Sequence, residues 1–160
     1  MMHNEDIEKK ANELTKVYSE PPIPVYEIAR SQGVAVYEAK FKECYKGVHG
    51  FCDFLDDAIY LNKADSPIQQ ILTAAHELGH WILHREDYKL NNKRYAFFPK
   101  KNESGFGGNE KEEAEADFFA SQLLMPRSLL LPYIPHNSVA VLAEAFDVSR
   151  AMMEMRVKDV

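Results

Sequence analysis

Two histidines four residues apart, His76 and His80, enclose a glutamate in the run His76-Glu77-Leu78-Gly79-His80. On a helix, residues i and i+4 lie one turn apart on one face, so both imidazoles can reach one ion. Zinc accepts two neutral imidazoles and one carboxylate and leaves a fourth position for water, whose pKa falls toward ~7. Glu77 projects from a neighbouring face, close enough to take a proton from that water but not to be a ligand. The pattern therefore predicts one zinc ion per chain, with Glu77 as general base.

The third ligand must come from elsewhere. His84 is eight residues past His76, about 12 Å along a helix axis, too far to share one ion with both. It reads as a helix-end histidine in a favourable dipole contact. A later helix over residues 112–124 is the better source. Glu113, Ala116, Asp117, Ala120 and Leu124 share one face of it, and the two alanines allow close approach to the first helix. Glu113 then projects at the metal. Asp117, one turn on, can accept a hydrogen bond from the outer nitrogen of a liganding histidine. Glu112 and Glu115 stay open as alternatives to Glu113. Their other reading is Glu112 in a cap, with Glu110 and Glu115 on a solvated face near the helix start.

The elements that must position these residues can be read from caps and periodicity. Ser66 reads as an N-cap, Pro67 as the first helical residue and Gln69 as the capping partner of a helix reaching about His84. Its apolar stripe is Ile68, Ile71, Leu72, Ala75, Gly79 and Ile82. Asn109 caps the second helix, with Glu112 three residues on, and Pro126 stops it. Upstream, Ile7, Ala11, Leu14 and Tyr18 mark an amphipathic helix ended by Pro21, Pro22 and Pro24. A short helix over 25–31 stops at Gly33. Strands are expected at 34–39, 47–54 and 58–61, the last two joined by a turn at Asp56-Asp57. Serine caps at Ser138 and Ser149 open two closing helices, with Leu142, Phe146, Val148 and Met152 facing inward. The expected class is α+β, mainly helical, with a small, about three-stranded antiparallel sheet beside the helix bearing His76 and His80. Residues 1–160 are expected to form one domain that includes the helix pair at about 138–158.

Composition narrows the setting. The 160 residues are 46% apolar, enough for a core, and no apolar run is long enough to span a bilayer. The first 20 residues carry no apolar signal core, so a cytoplasmic location is expected. A net charge of −6 disfavours broad nucleic-acid or membrane-surface binding. Cys44 and Cys52 read as reduced thiols in strand. Segment 85–108, rich in Lys, Asn and Gly with aromatics at Tyr95, Phe97 and Phe98, is long for a connection and suits a functional rim or lid. Gly47 and Gly50 admit two readings: close approach of a substrate backbone to a strand edge, or a bulge or turn. Tyr88, Tyr95 and His136 are unranked candidates for stabilising a transition-state oxyanion.

The motif 76–80, the runs Glu113-Ala114-Glu115-Ala116-Asp117-Phe118-Phe119-Ala120 and Leu123-Leu124-Met125-Pro126, and the upstream Gly50-Phe51 and Ile59-Tyr60-Leu61-Asn62 together resemble the ImmA/IrrE family of zinc metallopeptidases. The tail, with Leu142-Ala143, Phe146, Val148-Ser149 and Arg156, is also similar. The resemblance implies a gluzincin-like core and cleavage of a helix-turn-helix repressor encoded beside the protease, as on phages and other mobile elements. The competing expectation is a non-catalytic, partner-binding component of a toxin–antitoxin or regulatory pair, which would have no use for Glu77. A DNA-binding tail is disfavoured because Arg150, Arg156 and Lys158 are offset by Glu154 and Asp159.

Overall fold

The computed structural model describes residues 2–96 and 109–160. Its elements are helix α1 (Asn4–Thr15), α2 (Val25–Ser31), strands β1 (Ala35–Ala39), β2 (Gly50–Asp53) and β3 (Ala58–Asn62), helix α3 (Pro67–Leu90), the short strand β4 (Tyr95–Ala96), and helices α4 (Glu110–Leu124), α5 (Arg127–Leu130), α6 (Val139–Ala145) and α7 (Arg150–Asp159). The class is α+β, as the sequence indicates. The sheet is mixed rather than antiparallel, with order β1-β3-β2-β4. β2 pairs antiparallel with β3 and β4, whereas β1 and β3 are parallel. Chain direction does alternate from β1 to β2 to β3. What local pattern cannot reveal is that β3 inserts between β1 and β2, so strands of like direction become neighbours.

The β2–β3 hairpin turns at Asp57, which takes a left-handed φ of 46°, a conformation aspartate tolerates. Asp53 Oδ1 accepts the N–H groups of Leu55 (3.1 Å) and Asp56 (3.2 Å) and braces the turn. One face of the sheet, with Cys52, Ile59 and Leu61 fully buried, packs on α3. The other carries an aromatic row. Tyr60 stacks on Tyr37 at 5.5 Å and on Phe51 at 5.1 Å, and Phe51 meets the edge of Tyr95 at 5.5 Å. Cross-strand aromatic pairs of this kind hold register on that face.

The two glycines of 47–54 are explained within the fold. A Cβ on Gly50 would lie 2.6 Å from Thr73 Cγ2 of α3 and 2.7 Å from the Tyr60 carbonyl oxygen. Gly50 therefore lets β2 and α3 touch. Gly47 has φ +88° and makes a turn outside the strand. Cys44 sits exposed in a single 3-10 turn (Glu43–Tyr45), not in strand, and Cys52 is buried in β2.

Helix α3 begins as expected. Ser66 Oγ accepts the Gln69 N–H at 3.2 Å, although the Gln69 side chain turns to Thr73 instead of back to the cap. The helix continues two turns past His84, to Leu90. Its buried set is Ala74, Ala75, Leu78, Gly79, Trp81 and Tyr88, together with Gln70, Thr73, Glu77, His80 and His84. Ile68, assigned to the apolar stripe, is exposed. The sheet covers α3 on one side and α4 on another, so polar residues are buried too and no single apolar stripe marks the core.

α1 packs along α4 through Ile7 and Ala11. It ends at Thr15, whose hydroxyl returns to the Ala11 carbonyl at 3.2 Å, well before the prolines. α6 and α7 are capped by Ser138 and Ser149 and bury Leu142, Phe146, Val148 and Met153, with Met152 only half-buried. Arg156 reaches inward to the Met125 carbonyl at 3.1 Å and to Gln122 Oε1 at 2.7 Å, tying α7 to the end of α4. Phe97 and Phe98 and the remainder of the suspected rim lie outside the described residues. Before them, α3 runs to Leu90, the chain turns at Asn91-Asn92, and β4 begins at Tyr95. Arg94 bridges Asp53 (2.8 Å) and Asp56 (2.7 Å) and fixes the start of β4 against the hairpin.

Candidate metal centre

The close pairing of α3 with α4 sets the site. A Cβ on Gly79 would lie 3.0 Å from Phe119 Cδ1 and 3.2 Å from both Ala116 Cα and Ala116 O, so the two backbones nearly touch beside His80. At that separation Glu113, in the first turn of α4, reaches across to both histidines. His76 Nε2 lies 3.2 Å from Glu113 Oε2, His80 Nε2 lies 3.2 Å from Glu113 Oε1, and the two Nε2 atoms are 3.0 Å apart. Among the described residues, His76, His80 and Glu113 are the group of such side chains able to hold a metal ion. About 3.3 Å separates neighbouring donors around a tetrahedral zinc with bonds near 2.0–2.1 Å, so these spacings suit one. Two imidazoles and a carboxylate also suit zinc chemically.

A second observation fits the same group. Among the described residues, Glu77 Oε2 is the buried side-chain polar atom with no hydrogen-bond partner. An orphaned carboxylate oxygen is costly in a protein interior. Here it sits beside the convergent donors, where a bound ion and a water would satisfy it. Burial raises the Glu77 pKa. Nearby His80 and His76 pull it down, and Glu113 pushes it up again.

The contacts behind the cluster differ on its two sides. His76 Nδ1 donates to Asp117 Oδ1 at 2.8 Å. Burial disfavours charge on His76, but hydrogen bonds to Asp117 and Glu113 override it and raise its pKa to about 10. Burial likewise opposes ionisation of Glu113, yet the bond from His76 and the proximity of His80 lower it to about 2. On the other side, His80 Nδ1 meets His84 Nδ1 at 3.2 Å, and His84 Nε2 meets Glu115 Oε2 at 3.0 Å. Burial pushes the His84 pKa down, opposed by Glu115.

The structure thus brings His76, Glu77, His80, Glu113 and Asp117 to one place. It corrects the reading of His84, which is a buried mid-helix residue joined to His80, not a helix end. It also corrects Glu115, which lies against His84 and the Met2 N–H rather than on a solvated face. Among the described residues, Glu112 accepts from the Asn109 side-chain amide at 3.2 Å rather than from the cap's backbone N–H, so the expected capping box does not form, and it accepts from the Tyr88 hydroxyl at 2.7 Å. That bond occupies Tyr88, and Tyr95 is on the aromatic face. A signal for His84 was present in the spacing 76, 80, 84, which stacks three imidazoles one turn apart.

The family comparison supports a metallopeptidase-type domain. Residues 29–158 match the Peptidase_M78 family model, described as the IrrE N-terminal-like domain, and the chain belongs to that family. No curated protein matches the sequence. A solved structure of a Mycobacterium tuberculosis transcriptional regulator shares the fold, with a TM-score of 0.65 at 12% identity. The match covers 93% of this chain but 45% of that one, so the chain spans less than half of its structural neighbour. Among the described residues, no helix is long and apolar enough to cross a membrane.

Proposed function

We propose that the chain is a zinc-dependent endopeptidase acting inside the cell on a helix-turn-helix repressor, and so an anti-repressor. The observation that carries the catalytic part is the convergence of His76, His80 and Glu113 beside the partnerless Glu77 oxygen. In this reading His76, His80 and Glu113 hold the ion, which when bound supplies Lewis acidity for a peptide carbonyl and for water. Glu77 holds and moves the proton: it takes one from the attacking water and passes it to the departing amine. Asp117 orients His76. Packing of α3 on the sheet keeps Glu77 dry, which favours its proton-carrying form.

The substrate part is carried by the family resemblance. Among the described residues, an extended peptide can add to the edge of β2 at Gly50, β1 being the other outer strand of the sheet. Phe51 and Asp53 of β2 bond to β3, as the His49–Asn62 bond that sets the ladder's phase implies, so Gly50 directs its N–H and C=O away from β3 and beyond the two-residue β4. The alternative of a binding-only component of a regulatory pair leaves Glu77 without a use.

The test mixes zinc-loaded protein with the repressor encoded beside it and follows cleavage by mass spectrometry. Wild type should cut once or a few times. Glu77→Gln should keep zinc and lose about 10²–10⁴ in rate. Cleavage by Glu77→Gln at the wild-type rate would refute the assignment of the base. Binding without cleavage by wild type would favour the alternative.

A further inference from the structure

Behind His80 lies a buried chain of polar groups that the proposed catalytic roles do not use. His80 Nδ1 and His84 Nδ1 are 3.2 Å apart, and His84 Nε2 is 3.0 Å from Glu115 Oε2. The three side chains are 2%, 7% and 12% exposed. Glu115 is itself held: its Oε1 accepts the Met2 N–H at 3.2 Å and lies 4.0 Å from Lys111 Nζ.

Hydrogen-bond chemistry gives this chain a direction. An ionised carboxylate only accepts, so His84 Nε2 carries the proton that Glu115 receives. A neutral imidazole has one N–H, so His84 Nδ1 is a lone pair, and His80 Nδ1 must donate to it. His80 Nε2 is then left as a lone pair, aimed at Glu113 Oε1 at 3.2 Å and His76 Nε2 at 3.0 Å. Running the chain the other way would press the His84 Nε2 lone pair against the Glu115 carboxylate at 3.0 Å, away from water. The chosen direction places two acceptors, His80 Nε2 and Glu113 Oε1, face to face, an arrangement that a cation between them satisfies.

We infer that His84 and Glu115 are positioning residues for His80: they fix the tautomer and ring plane in which its Nε2 can bind a metal. A histidine thus does for His80 what a carboxylate, Asp117, does for His76. An apolar side chain at 84 would fill the same space but leave the His80 Nδ1–H buried without an acceptor. The inference rests on the reading of His80 as a ligand.

The experiment measures zinc affinity by competition with a chromogenic chelator, and reads the His80 tautomer in metal-free, nitrogen-15-labelled protein from its ring nitrogen shifts. Circular dichroism confirms that each variant folds. His84→Ala should bind zinc about 10–100-fold more weakly and move His80 away from the Nδ1–H form. His84→Asn, whose amide oxygen can take the place of Nδ1 as acceptor, should recover most of the affinity. Glu115→Ala should fall between wild type and His84→Ala. Affinities within twofold of wild type in both His84→Ala and Glu115→Ala would overturn the inference. So would a loss in His84→Ala that His84→Asn does not recover while the His80 tautomer stays unchanged, since that is packing alone. If wild type takes up no zinc, the ligand reading fails instead. The tautomer shift in the metal-free variants then still decides whether His84 controls His80.

Discussion

His76 and His80 are the same residue type, one turn apart on one helix, yet their outer nitrogens lead into opposite surroundings. His76 turns to Asp117, whose side chain is 74% exposed, while His80 turns to His84 and Glu115 in the interior. The outer arm is an ion pair in contact with water, where salt and pH act directly. The inner arm is a chain of short polar contacts in low dielectric, where geometry and pairing dominate. Two histidines that look equivalent in sequence should therefore fail in different ways.

The largest expected effect removes either ligand. His76→Ala and His80→Ala should each abolish zinc binding, because two remaining protein ligands rarely hold the ion. Their effects on the fold should separate them. His80→Ala leaves His84 Nδ1 buried without a donor, which costs about 1–3 kcal/mol beyond the lost packing. His76→Ala frees groups that water can reach, and above about pH 10, where the His76 charge is gone, it should cost much less. Urea unfolding above that pH in the presence of a chelator measures both, and equal costs would break the contrast.

The next effect is a proton. With its pKa raised to about 10, His76 is charged at neutral pH when no metal is bound. Zinc must displace that proton, so binding near neutral pH should release about one proton, and affinity should climb as pH rises. Calorimetry in buffers of different ionisation enthalpy counts it. Release of none would mean that the outer arm does not hold His76 protonated. The same shift bears on metal-free stability. A folded pKa above the unfolded value of about 6.5 stabilises below that pH, and the contribution is lost as pH rises through about 10. Glu113, lowered to about 2, has the opposite sign: its contribution is present above about pH 4.3 and lost as pH falls toward 2. Melting temperatures across pH, with chelator present, should show a plateau between about pH 4.3 and 6.5 and fall away on both sides.

The smallest effect belongs to Asp117. Asp117→Asn should weaken zinc binding by about tenfold, the low end for a residue behind a ligand, because its carboxylate is already exposed. High salt should shrink the difference between wild type and this variant and leave that of His84→Ala unchanged. A salt-insensitive Asp117 effect would mean that its hydrogen bond, not its charge, does the positioning.

Much of this arrangement was legible because it is encoded at helical spacing. Ser66-Pro67 marks where α3 begins, His76 and His80 share a face, and Glu113 and Asp117 share a face of α4 beside the small Ala116 and Ala120. What was not legible depends on neighbours that spacing cannot name. The apolar stripe through Ile68 failed because α3 is wrapped on two sides. α3 outran His84 because no proline or glycine stops it before Asn91, and the polar run Arg85-Glu86-Asp87 looked like loop while forming helix. Glu115 looked solvated because its partners, the Met2 N–H and His84, are both distant in sequence. The parallel pairing of β1 with β3 is likewise a matter of insertion order, not of local pattern.

Gly79 gives the site its gauge. The Ala116 backbone of α4 already sits 3.2 Å from where a side chain on Gly79 would begin, and the Phe119 ring edge 3.0 Å, so the distance between the two helices is set by a backbone and a packed ring with no room to spare. A core tolerates a few tenths of an ångström by small repacking, but a coordination site built from both helices has no such slack, because its bond lengths vary by about 0.2 Å at most. Position 79 thus acts as a machined shim: it holds the jaws of α3 and α4 at a calibre that the fold alone does not require and a small ion does.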